Sequence, residues 1–236
     1  MRAKSDAPAQ EAGVRTTIDR PTPAFITLSV VYGALLIVSN ITVTKLVQVG
    51  PFLITAAFFT YPAVYVISDI MTEVYGYRLS MKAIWANFIA QGVVALFLAV
   101  AVRLPGIDPA IHEAMKTLFS TTWRIVLGSL AAYWVGDWLN TLVMSKMKVA
   151  QKGRNLLLRT MASSIPAHFI DTALFTTLAF GGIWGAEEIV GNVLSEGILA
   201  SVYELAAFPL TYLAVRSWKM REKIDVYDEG IRYSPF

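Results

Sequence analysis

Six apolar runs, each about as long as a bilayer is thick, dictate what this chain can become. They cover residues 23–44, 51–70, 83–102, 123–145, 156–180 and 189–215. Roughly 20 residues of α-helix cross the hydrocarbon core. Backbone polar groups are satisfied there only in a helix or a closed barrel. The sequence therefore predicts an all-α, polytopic membrane protein: six transmembrane helices over 23–216, a disordered tail over 1–22 and a second tail over 217–236. The polar residues carried inside the runs call for a cavity at the centre.

The composition agrees and narrows the function. Of the 236 residues 56% are hydrophobic and 16% charged, whereas a soluble domain has about a quarter charged. The net charge of +3 does not indicate nucleic acid, because lysines and arginines sit in short segments between the runs. With no cysteine, and with His112 and His168 as the only histidines, no metal centre and no cofactor is predicted. No Gly-rich Walker loop is present, so the chain does not hydrolyse ATP itself.

Positive charge sets the expected orientation. Arg2, Lys4, Arg15 and Arg20 precede the first run, and Arg78 and Lys82 follow the second. Lys146, Lys148, Lys152 and Arg154 follow the fourth, while Arg216, Lys219, Arg221, Lys223 and Arg232 close the chain. The opposite loops carry Arg103 and Lys116, with Glu187 and Glu188 between the last two runs. Both termini are expected in the cytoplasm. The polar N-terminal residues lack the apolar core of a cleavable signal.

Several polar residues fall inside the runs. Asp69 and Glu73, four apart, share a helix face at the end of a stretch with no charge between Leu46 and Ser68. Carboxylates facing lipid are costly, so this pair is expected at a polar cavity or at the interface. Asn40 lies on the first helix, with Lys45 at its end as a snorkelling anchor or a gating group. Asn87 and Gln91 share a face suited to joining helices. Trp134, Asp137 and Asn140 lie three apart on the fourth, an arrangement that offers a flat heterocycle stacking and edge hydrogen bonds. The alternative pairs Asp137 with Arg159. On the fifth helix Ser164, His168 and Asp171 share a face, and Pro166 interrupts the backbone ladder. His168 is either a proton carrier or a fixed hydrogen-bond donor. Glu196 and Glu204 face one way on the last helix, one to neutralise Arg159 and the other to hold substrate or a proton. An intramembrane enzyme using His168 and Asp171 as acid and base lacks a nucleophile or metal set, so no enzyme is predicted.

The run FFTYPAVYVISDIMTEVYG, from Phe58 to Gly76, resembles the family of six-helix queuosine-precursor transporters, also called vitamin uptake transporters. That family reads roughly F-P-x-x-[FY]-x-x-[ST]-D-x-x-[ST]-E-x-Y-G, and here Tyr61 stands before Pro62. SNITVTK at Ser39–Lys45, LAAYWVGDWLN, RTMASSIPAHFIDTALF and the ending DVYDEGIRYSPF are similar to its other signatures. Gly136 and His168 stand where the family often has glutamine, and Ala200 where many members have lysine.

The resemblance implies a bacterial inner-membrane importer of 7-deazaguanine bases for tRNA queuosine: the cyano or aminomethyl precursors, or queuine. It implies a fold similar to the small-vitamin-binding subunits of energy-coupling-factor importers. A guanine-like edge offers two donors and one carbonyl, so Asp171 or Asp137 is expected on the donor edge and Asn40 or Arg159 near the carbonyl. Trp134 or Tyr65 would stack. Glu73 and Arg78 would form a cytoplasmic gate or a structural pair. A self-sufficient secondary importer is the first expectation, and a binding subunit of an ATP-driven importer the alternative. Small-molecule substrate and lipid are the expected partners, a homodimer is left open, and an ATPase partner is not expected.

Overall fold

The computed structural model describes residues 14–43, 45–50, 52–119 and 123–235. Residues 1–13, most of the expected tail, and Thr44 and Pro51 at the edges of the first two runs lie outside them. Among the described residues seven helices dominate: α1 (Pro23–Thr42), α2 (Tyr61–Tyr75), α3 (Tyr77–Arg103), α4 (Pro109–Phe119), α5 (Trp123–Ala150), α6 (Leu156–Phe180) and α7 (Ala186–Glu222). Local chemistry sets their ends. Thr22 caps α1, its hydroxyl accepting from the Phe25 amide at 3.2 Å, with Pro23 fixing the first turn. Glu188 reaches back to the Gly185 amide at 2.8 Å to start α7.

The all-α expectation needs one correction. Strands β1 (Leu46–Val49) and β2 (Phe52–Thr55) form an antiparallel hairpin with Val49 opposite Phe52. A 3-10 turn, Ala56–Phe59, then leads into α2. The helix expected over 51–70 thus starts at Tyr61 and runs on to Tyr75. Hydrophobicity alone does not separate a buried helix from a short strand pair, and the apolar run from Leu46 contains both. At 1.5 Å per residue, the 15 residues of α2 span only about 22 Å.

The distribution of polarity is inside out. Asp69, Glu73, Asp137, Asn140, Arg159 and Glu204 are each no more than 1% exposed. Val190, Leu194, Ile198, Val202 and Leu205 of α7 form an exposed aliphatic stripe, as do Ile89, Val93, Leu96, Phe97 and Val100 of α3. An aliphatic exterior around a charged interior suits lipid as the surrounding medium. Helices α1, α3 and α7 are long and apolar enough to cross a membrane. Helices α5 and α6 are long as well, with 28 and 25 residues, but carry the buried polar groups. The chain is a helical membrane protein. Helix α7 is the longest at 37 residues and contains Pro209.

Both described ends of the chain meet at one end of the bundle. The Arg15 amide donates to the Lys223 carbonyl, and the Asp225 amide to the Arg15 carbonyl. Beyond α7, Ile224 and Val226 are buried in the core and Asp228 accepts from the Tyr77 amide at 2.8 Å. The stretch after α7 is therefore a strap folded across the α2–α3 corner. That corner depends on Gly76, whose φ of 81° and ψ of 173° are open essentially only to glycine. A Cβ there would also lie 2.6 Å from Val226 Cγ1 and 3.0 Å from Asp228 Oδ1. Gly76→Ala is expected to lower stability by about 1–3 kcal/mol. Thermal unfolding in detergent checks this, with Gly92→Ala, which meets nothing within 4 Å, as the control expected to unfold no earlier than wild type.

Candidate functional site

The polar interior is arranged in three tiers between the hairpin end and the end where the termini meet. The outermost is a cavity of about 680 Å³, counting its open mouth, walled by α1, the 3-10 turn, α2, α5, α6 and α7. Asn40, Tyr61, Tyr133, His168, Asp171 and Glu196 are among its polar lining residues. Glu196 is tied to the hairpin, one oxygen accepting from the Thr55 amide at 3.0 Å. Asp171 interacts with the Tyr61 hydroxyl, while its Oδ1 has no hydrogen-bond partner among the described residues. Gly136 keeps this region open: a Cβ on it would come within 2.6 Å of the Tyr65 hydroxyl and 3.0 Å of Asp171 Cβ.

The middle tier is a network of buried side chains. His168 Nε2 lies 2.8 Å from Glu204 Oε2, and the Tyr65 ring lies against the imidazole, centroids 4.2 Å apart. The Asn140 amide donates to Asp69 at 2.8 Å, and Ser164 bonds both Asp69 and the Asn140 carbonyl oxygen. Glu204 stands beside Asp69, its Oε1 without a hydrogen-bond partner among the described residues. His168 thus touches the cavity on one side and this network on the other.

The innermost tier centres on Glu73. Arg159 grips it with two bonds, Nε to Oε2 at 2.8 Å and Nη2 to Oε1 at 2.6 Å. The Lys219 ammonium lies 2.5 Å from Oε1, and Lys148 stands 3.8 Å away. Asp225 of the strap bridges Lys148 and Lys219 at 2.6 and 2.8 Å. Lys148 also donates to the Glu73 and Val226 carbonyls and sits over the Tyr227 ring. Beyond the helices, burial holds the Tyr227 phenol above its ordinary pKa. This tier closes the bundle at the terminal end with fork-shaped arginine geometry and two lysines.

The structure divides the residues singled out in the sequence. Asn40, His168, Asp171 and Glu196 meet at the cavity, with Tyr65 just behind its wall. Asp69, Asn140 and Glu204 form the middle tier. Arg159 pairs with Glu73, not with Asp137, Glu196 or Glu204, because it sits near the start of α6, at the same end as the C-terminus of α2. Arg78 does not join Glu73. The turn at Gly76 carries it round to an exposed position on α3. Asp137 accepts a hydrogen bond from the Tyr32 hydroxyl and does not line the cavity. Trp134 packs on Trp85 and Trp138, its ring nearly parallel to that of Trp138, so it belongs to an aromatic cluster away from the cavity. Lys45 is exposed beside the hairpin.

Asn87 clamps α3 to Ser29 of α1, and Gln91 accepts from Asn40. The Asn40–Gln91 contact borders a second space of about 650 Å³, mostly apolar, between α1, α3, α4 and α5. Sequence reasoning missed Tyr32, Tyr61, Lys148, Lys219 and Asp225. For Lys148 a signal existed: it lies eleven residues after Asp137, three helical turns on and on the same face.

Residues 55–214 match the family described as "Putative vitamin uptake transporter". The chain belongs to that family. The matched stretch holds the cavity acids, the middle tier, Glu73 and Arg159, while Asn40, Lys219 and the strap lie outside it. Over 179 residues the chain is 27% identical to a protein of Bacillus subtilis (strain 168) named "Probable queuosine precursor transporter". That similarity covers 75% of this chain and 78% of the relative. No solved structure matches the chain.

Proposed function

We propose that this protein imports queuosine precursors, 7-deazaguanine bases, across a bacterial inner membrane as a self-sufficient secondary transporter. The observation that carries the reading is the cavity: polar groups from α1, α2, α6 and α7 converge inside a bundle with an aliphatic exterior. Family membership and the named relative supply the substrate class.

In this reading α1, α2, α3, α5, α6 and α7 all cross the bilayer, with both termini in the cytoplasm. The hairpin and 3-10 turn make up the thickness that α2 lacks. Asp171 takes the two donors of the base edge through its unpartnered oxygen and its neighbour, and Asn40 donates to the base carbonyl. Tyr61 and Phe58, which line the same space, offer ring faces for stacking. The Glu73 tier is the closed cytoplasmic side, and the His168–Glu204–Asp69 network is the route by which a proton couples to transport.

Purified protein reconstituted alone into liposomes tests this directly. Uptake of the cyano and aminomethyl precursors and of queuine is followed with and without a proton gradient. Accumulation above equilibrium only with the gradient is the expected result. Binding without accumulation under any gradient points instead to a subunit that needs an ATP-driven partner, and no binding of any of the three bases removes the substrate assignment.

A further inference from the structure

The outer cavity presents carboxyl groups. Asp171 and Glu196 line it, and among the described residues no lysine or arginine does. In the innermost tier Glu73 is met by Arg159, Lys148 and Lys219, whereas Asp69 is held by Asn140 and Ser164 and Asp137 by Tyr32, all uncharged. Nor does His168 serve the cavity acids: its Nε2 is committed to Glu204. Asp171 is only 6% exposed, yet one of its oxygens is unpartnered among the described residues. Carboxylates withdrawn from water without a cation are costly. A cationic occupant would give the unpartnered Asp171 oxygen and Glu196 the positive charge that no described lining residue supplies.

We propose that the cavity selects 7-deazaguanines bearing a protonated amine, the aminomethyl form over the cyano form, with Glu196 as counter-ion to the amine. This rests on the reading of the site as a precursor site. Each acid then has one task. Asp171, on α6 beside Tyr61 and Gly136, meets the base edge. Glu196, on α7 and fixed at the hairpin by Thr55, meets the substituent. An ammonium supplies up to three donors to a carboxylate. A nitrile supplies none and turns its own lone pair towards the acid, which disfavours it.

The test is calorimetric binding of the aminomethyl and cyano bases to the full purified chain, wild type and Glu196→Gln. Glutamine keeps an acceptor for the Thr55 amide, so the hairpin anchor survives the change. Wild type is expected to bind the aminomethyl base tighter by about tenfold or more, and the variant to bring that ratio close to one. Equal affinity of the wild type for both bases overturns the proposal while leaving the function in place. So does a variant that weakens both bases by the same factor. If the variant does not fold, the wild-type ratio decides alone. Failure of the wild type to bind either base overturns the functional reading and this inference with it.

Discussion

Replacing Glu73 with glutamine is expected to destabilise the protein by about 3–5 kcal/mol, the cost of leaving buried cations without their acid. Arg159 and Lys148 are each no more than 2% exposed, and Lys219 is largely covered. Removing the one carboxylate they share leaves Asp225 as the remaining acid of the tier, and it reaches only the two lysines. The measurement is thermal unfolding in detergent, together with the yield of monodisperse protein. A second substitution separates charge imbalance from lost packing. Lys219→Met in the Glu73→Gln background is expected to restore part of the stability, because it removes a cation that no longer has a partner. Wild-type melting in the single variant, or an additive further loss in the double, would show that this cluster is not held by its charge balance.

Asp171→Asn is expected to weaken precursor binding by about a hundredfold while leaving the fold intact. A charged acceptor contributes about 1.5–3 kcal/mol per hydrogen bond, and here it faces the two donors of the base edge. Asparagine has the same shape but replaces one acceptor with a donor. The stability change has the opposite sense: an uncompensated buried carboxylate is removed, so melting is expected at or above the wild-type temperature. Asp137→Asn supplies the contrast. Its carboxylate is held by Tyr32 away from the cavity, so it is expected to change stability and spare affinity. Retention of affinity within about twofold in Asp171→Asn would take Asp171 out of the site.

The i, i+4 spacing of Asp69 and Glu73 placed both acids on one inward face, and the structure buries both completely. Their partners were not legible. Asn140 and Ser164 reach Asp69 across 71 and 95 residues of chain, and Arg159 reaches Glu73 across 86. No local pattern encodes such distances. Lys148 and Lys219 were hidden for another reason. They follow the apolar runs, where basic residues read as loop and tail charges, whereas α5 continues to Ala150 and α7 to Glu222. The hairpin was missed because Leu46–Val49 and Phe52–Thr55 extend an apolar stretch that continues into α2, and hydropathy averages over the break. Asp171, His168 and Glu196 were found as candidates because ionisable groups inside spans are rare. That Trp134 belongs to a tryptophan cluster depends on how α3 and α5 face each other, which one sequence does not reveal.

Helix α7 contributes to every tier: Glu196 at the cavity, Glu204 in the middle, Lys219 at the closed end. From Glu196 to Lys219 it extends about 35 Å, most of the way through a membrane on one piece of secondary structure. A rod of this kind behaves mechanically as a lever, and a lever needs a fulcrum. Pro209 lies between Glu204 and Lys219 and has no amide hydrogen to offer the Leu205 carbonyl, so the rod is most easily bent there. A tilt of its outer half as the cavity fills would either be absorbed at that proline or be delivered as a pull on the ammonium that holds Glu73.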